Sequence, residues 1–242
     1  MITKNQIKLI ISLQQKKNRI KHQLFFAEGE KVIHELLKST FKLVNIYCTE
    51  SIFKDKYSHQ IELISESDLK KISALATPNN CLAIFEIPET KSFVDSGLIM
   101  MLDNIQDPGN LGTIIRLCDW FGINQLVCST DTVDVYNPKV VQATMGSLTR
   151  VNIYYQDLEP ILTQSKSPIY GTFMDGENIY KTKLPKNGII ILGNEGKGIS
   201  EKIEKLVNQK IAIPRFGNIQ ETESLNVANA AAIILSEFLR DS

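Results

Sequence analysis

The chain has 242 residues, 43% of them hydrophobic, which is enough apolar material for one large or two small domains, and its 27 basic and 27 acidic side chains cancel. No run approaches the roughly 20 apolar residues that cross a bilayer. The opening MITKNQIKLIISLQQKK has neither a clean apolar core nor a small-residue cleavage site, so a secreted or membrane protein is disfavoured and a cytoplasmic one is expected.

In chain order, residues 4–22 and 28–38 have helical spacing, with Ile7, Ile10, Ile11 and Leu13 and then Val32, Ile33, Leu36 and Leu37 as the apolar positions. LFFAEGE between them reads as a short strand entering a helix. LVNIYCTE and IELISE read as strands, SDLKKISAL as a helix opened by a Ser/Asp cap, and NNCLAIFEIP as a buried strand. Residues 1–40 carry eight cations against three carboxylates, a local charge of +5 that leaves −5 on the remainder. Such a basic end suits a polyanionic partner or forms a solvated helix face, and charge alone does not separate the two.

The polar stretch PETKSFVDSG has no periodicity and reads as a linker, which divides the chain into domains at 1–90 and 98–242 with a linker over 91–97. Beyond it, apolar strands alternate with helices: GLIMMLDNI, the helix LGTIIRLCDWFG, INQLVCST, a helix around PKVVQATMGSLT, VNIYYQ, a helix from Leu158, PIYGTFM and GIIILG, and the chain finishes with IEKLVNQ, the strand KIAIP and a last helix NVANAAAIILSEFLR. Near-continuous apolar strands separated by helices predict an α/β fold with a parallel sheet covered on both faces. Cys48, Cys81, Cys118 and Cys128 form no C-x-x-C pair and read as small buried hydrophobes. His22, His34 and His59 are scattered, so no metal site is expected.

Ligands of open parallel sheets bind beyond the carboxyl ends of the strands, which singles out three loops. DNIQDPGNLGTIIR (103–116) leads from a strand into a helix that Asn110 is placed to cap, and Arg116 sits among Ile114, Ile115, Leu117 and Cys118. That arginine either meets an anion with its guanidinium fork or forms a structural ion pair with Asp103 or Asp119. GNEGKGIS (193–200) is glycine-rich without the spacing of a phosphate-binding or dinucleotide loop. Its Glu195 is a functional carboxylate or an exposed turn residue, and Ser200 reads as the cap of the next helix. IPRFGNIQETESLNVA (213–228) ends a strand and opens an alanine-rich helix at Ser224 or Asn226.

In this order, N-x-x-D-P-x-N-x-G-x-x-x-R (104–116), G-x-E-G-x-G (193–198) and I-P-…-G-…-S-L-N-V-A (213–228) resemble the three signature motifs of the SpoU/TrmH RNA methyltransferases. FFAEGEKVIHELL (25–37) resembles the start of that family's N-terminal substrate-binding domain, itself similar to certain ribosomal RNA-binding proteins, and MDGENIY (174–180) also fits. The resemblance implies a C-terminal trefoil knot, a homodimer, S-adenosylmethionine as methyl donor and a ribose 2′-hydroxyl of RNA as acceptor. It implies functional roles for Asn110, Arg116, Glu195, Ser224 and Asn226, and cofactor contacts for Gly193, Ile213 and Leu225, with Thr172 as a further contact. Lys16, Lys17 and Arg19 on the basic helix are expected to contact RNA. The sequence departs from the family pattern in having Arg215 where methionine is commoner and about three additional residues between Gly217 and Ser224. The N-terminal domain favours ribosomal RNA; transfer RNA, or an RNA-binding protein without catalysis, are the alternatives. A phosphate-using small-molecule enzyme is disfavoured by the lack of a phosphate loop.

Overall fold

The computed structural model describes residues 2–53, 57–89, 92–217 and 224–240; the start of the expected linker at Lys91 and the additional residues before Ser224 lie outside these. The chain forms two compact units, one of residues 1–90 with 134–149 and the other of residues 91–133 with 150–242.

The first unit begins with α1 (Lys4–Ser12), closed by a capping box between Thr3 and Gln6, and α2 (Lys16–His22). The stretch read as one helix over 4–22 is thus two. Side chains satisfy the carbonyls freed at the break: Arg19 Nη1 donates to Leu13 O and Gln14 O, and Asn18 Nδ2 donates to Ser12 O. Then follow β1 (Leu24–Glu28), α3 (Glu30–Leu37), β2 (Leu43–Cys48), β3 (Ile61–Leu63), α4 (Glu66–Ile72) and β4 (Cys81–Glu86). The cap of α4 is Ser65, two residues before the Ser/Asp pair expected there. The sheet order is β1-β4-β2-β3, with β4 antiparallel to both neighbours and β3 parallel to β2. Ile10, Leu13, Phe26, Tyr47, Ile72 and Leu82 share its core.

The second unit contains β5 (Leu98–Asp103), α5 (Pro108–Trp120) and β6 (Gln125–Cys128). Next in the chain, α6 (Pro138–Thr144) belongs to the first unit. The second unit resumes with β7 (Asn152–Tyr155), α7 (Leu158–Gln164), β8 (Ile169–Asn178), β9 (Gly188–Gly193), α8 (Glu201–Glu204), β10 (Gln209–Ala212) and α9 (Val227–Phe238). All neighbours in the sheet order β10-β8-β9-β5-β6-β7 are parallel. Ile99, Met101, Val127, Ile189 and Ile191 fill one core cluster, which explains the unbroken apolar runs of the strands. The four cysteines are buried free thiols, and burial pushes the Cys118 thiol up to about 12. The helix expected after Ser200 begins at Glu201 and is short, because the chain turns at Leu206 toward β10.

This order creates a switch point. From β5 the chain builds outward through β6 and β7, and then returns to add β9 and β8 on the other side. The carboxyl ends of β5 and β9 are therefore adjacent, with Asp103 in register with Gly193. A crevice at such a reversal is where open α/β sheets hold ligands.

Candidate active site

The loop after β5 makes a tight exit, with Asn104 at φ 61°, and reaches α5 through Asp107. Asp107 caps α5: its Oδ1 accepts from Asn110 N at 2.8 Å, and Pro108 fills the first turn, where a missing N–H costs nothing. Asn110, expected as that cap, is corrected to a bridging residue. Its Nδ2 donates to Glu195 Oε1 at 3.0 Å, and its Oδ1 accepts from Asn226 Nδ2 at 2.8 Å.

The direction of this chain is fixed chemically. An ionised carboxylate only accepts, so Asn110 must turn its NH₂ to Glu195 and its oxygen to Asn226. Asn226 must then turn its NH₂ to Asn110, which aims its own oxygen at the free N–H groups of Ala228 and Asn229 at the start of α9. One carboxylate thereby orients two amides and one helix end.

Glu195 also accepts from Asp107 N at 3.1 Å and Gln106 N at 3.3 Å. Burial pushes its carboxyl up, but the hydrogen bonds from Asn110 and from backbone N–H groups outweigh this and hold it below the ordinary value of 4.5. The carboxylate is charged at neutral pH, as the amide relay requires.

The loop after β9 is folded back on itself. Asn194 Oδ1 accepts from Gly196 N and Lys197 N, both at 3.0 Å, while its Nδ2 donates to Asn104 O at 2.8 Å. A Cβ on Gly193 would come within 2.2 Å of Gly198 C and Ile199 N, so only glycine permits the closure. Ser200 is the N-cap residue of α8, as expected, but its side chain makes no capping bond: its N and Oγ both donate to Asp103 Oδ2, each at 2.7 Å, tying the loop's far end to β5.

A cavity of about 770 Å³ lies beside these loops. Thr172, Gly193, Glu195, Ile213, Ser224 and Leu225 all line it, together with Phe173, Leu192 and Ile199. Six of the nine residues expected at the catalytic and cofactor sites therefore line one cavity, and Asn110 joins them through Glu195 and Asn226 through Asn110. Arg116 lies apart: it does not line the cavity and stands on the exposed side of α5, six residues or about 9 Å along the axis from Asn110. Among the described residues Arg116 has no ion-pair partner, since Asp103 is taken by Ser200 and Asp119 by Arg150. The structural ion pair with either aspartate is excluded.

Lys16 and Lys17 are exposed on α2. Arg19 is not: it is 2% exposed, and its guanidinium is held by Asp134 and two carbonyls. Its expected role in contacting RNA is corrected to a structural one within the first unit. Asn104 and Asn194 have no role assigned from the sequence, and Asp103 figures there only as an ion-pair option for Arg116; the one visible signal of all three is a polar residue at each strand end. Sequence reasoning also passed over Tyr180 and Phe216, an exposed aromatic pair.

Residues 97–236 match the SpoU rRNA Methylase family, and residues 4–83 match an MRM3-like substrate binding domain. A Bacillus subtilis relative, the 23S rRNA (guanosine(2553)-2'-O)-methyltransferase RlmP, is 31% identical over 92% of this chain and 91% of its own. A Porphyromonas gingivalis structure assigned to the TrmH family of RNA methyltransferases is 38% identical and superposes over the full length of both chains with a TM-score of 0.90. An AdoMet-bound rRNA methyltransferase from Sinorhizobium meliloti is 25% identical, covering 99% of this chain and 96% of its own with a TM-score of 0.85. With the family model spanning residues 97–236 and three motif loops converging on one cavity, the chain belongs to the SpoU family of RNA methyltransferases.

Proposed function

We propose that the protein transfers the methyl group of S-adenosylmethionine to a ribose 2′-hydroxyl of ribosomal RNA. The observation that carries this reading is the Glu195–Asn110–Asn226 relay, which joins all three motif loops beside a cavity whose volume, about 770 Å³, suits a small-molecule cofactor. The lining fits the donor: Leu192, Ile199, Ile213 and Leu225 offer apolar surface, and the bare backbone at Gly193 allows a ligand close approach. Thr172, Gly193, Ile213 and Leu225 would hold it. When bound, the donor supplies an electrophilic methyl group on a sulfonium. The B. subtilis relative, named as an rRNA 2'-O-methyltransferase, supports ribosomal over transfer RNA.

A ribose hydroxyl is a weak acid and a poor nucleophile, so its proton must leave as attack proceeds and the developing alkoxide needs a cation. Arg116 fills that role as a fixed charge that no carboxylate of the described residues quenches. A guanidinium stays protonated in proteins, so Arg116 acts by electrostatics, with its fork suited to a neighbouring phosphate as well. Asn110, Asn226 and Ser224 position the ribose, and Glu195 fixes the amides. Alignment of oxygen, methyl and sulfur is the larger share of the task. Lys16 and Lys17 bind the RNA backbone from the first unit.

The finer features follow the family. After β9 the chain passes to the outermost strand β10 and returns as α9 beside β9 and α5, a course that supports a trefoil knot. Trp120, 84% exposed at the end of α5, supports pairing into a homodimer. The protein works in the cytoplasm with its RNA. Incubation with S-adenosylmethionine and an unmodified large-subunit ribosomal RNA transcript, followed by mapping of 2′-O-methyl positions, tests the activity: one new modified site is expected, and an unmodified transcript overturns the reading. Sedimentation at micromolar concentration tests the dimer, and an experimental chain trace through residues 188–240 tests the knot.

A further inference from the structure

Phe216 and Tyr180 are exposed by 82% and 38%, although both rings are largely apolar. They face one another across 6.3 Å between ring centroids, tilted by 35°. Phe216 lines the cavity of the second unit and is followed there by Gly217, so its ring stands at the cavity's border with solvent. Each aromatic has a cation beside it in the chain: Arg215 precedes Phe216, and exposed Lys181 follows Tyr180. The cavity already has apolar walls for a cofactor in Leu192, Ile199, Ile213 and Leu225. A ring that projects into water beyond those walls adds a flat surface where they end.

We propose that Phe216 and Tyr180 form a stacking platform that positions the RNA beside the cavity, with a base of the substrate strand resting on Phe216 and with Arg215 and Lys181 neutralising its phosphates. This rests on the RNA methyltransferase reading and adds the residues that present the acceptor. The chemistry fits single-stranded RNA: unpaired bases stack on exposed aromatics whatever their identity, and interleaved cations follow the backbone. Phe216 and Tyr180 are positioning residues; they carry no proton and touch no reacting atom.

The test is steady-state methyl transfer by the full chain to an unmodified large-subunit ribosomal RNA transcript, with S-adenosylmethionine affinity measured separately by calorimetry. Phe216→Ala and Phe216→Leu are expected to raise the KM for RNA by about 5- to 150-fold, the range for loss of one base–aromatic stack. Cofactor affinity should stay within twofold, and Phe216→Trp should restore the wild-type KM. Leucine separates stacking from simple apolar contact. A wild-type KM in both variants overturns the proposal, as does a loss of cofactor affinity that matches the loss in RNA, which would make Phe216 a wall of the cofactor site. Photo-cross-linking of a 4-thiouridine-substituted transcript gives a readout independent of turnover: cross-links to Phe216 or Tyr180 are expected, and cross-links confined to the first unit overturn it. Failure of the wild-type chain to bind S-adenosylmethionine at all would instead refute the parent reading.

Discussion

In the proposed mechanism Arg116 and Glu195 divide the work of charge between them. Arg116 is a cation with no internal partner among the described residues, so its loss should leave the fold and cofactor affinity nearly unchanged. Methyl transfer by Arg116→Ala should fall by roughly 100- to 1,000-fold, the scale for removing one charge-stabilising donor; a wild-type rate would assign Arg116 a role outside catalysis. Glu195 works inward, on the relay. Its folded pKa is held below 4.5, so its ionised form adds stability that is fully present above that value and disappears as pH falls through the lower folded value. Glu195→Gln should therefore melt below wild type at pH 7, with the gap closing below about pH 4.5. A gap constant from pH 7 to pH 3 would mean that the carboxylate's charge is not what holds the loops.

At the level of elements, the site depends on where strands end. Asp103 in register with Gly193 places two loops side by side, and each then ties to the other: Ser200 to Asp103, Asn194 to Asn104, Glu195 to the start of α5. Gly193→Ala sets a Cβ against the backbone of Gly198 and Ile199 and must open the loop. Calorimetry should show S-adenosylmethionine affinity weakened by at least ~10-fold, or about 1.4 kcal/mol; unchanged affinity would remove Gly193 from the cofactor site. In the first unit Arg19 closes the break between α1 and α2 and pairs with Asp134. Asp134→Ala leaves a buried guanidinium without its anion and should destabilise the protein by ~3–5 kcal/mol in denaturant unfolding. A cost under ~1 kcal/mol, typical of exposed pairs, would contradict the burial.

For the whole molecule, a net charge of zero conceals an uneven distribution, with +5 on residues 1–40. Reversing Lys16 and Lys17 to glutamate should weaken RNA binding and flatten its salt dependence by roughly 0.7–0.9 for each phosphate that is no longer neutralised. An unchanged slope would remove α2 from the RNA interface.

Much was legible in the sequence because it is local. Apolar runs bounded by Gly and Pro mark the strands and helices, since burial on both faces of a sheet demands continuous hydrophobicity. Gly193, the Asp-Pro turn before α5 and the Asn226 cap are each dictated by backbone geometry within a few residues. Three motifs in order carried the family. What the tertiary structure alone decided involves partners far apart in the chain. Asn110 looks like a cap until Glu195, 85 residues later, claims its amide. Arg19 looks like a surface cation until Asp134, 115 residues later, is seen to bury it. No periodicity reveals that β9 lies next to β5, and that adjacency creates the site. Local sterics and hydrophobic period write the elements into the sequence; strand order and charge pairing are settled only when the chain closes on itself.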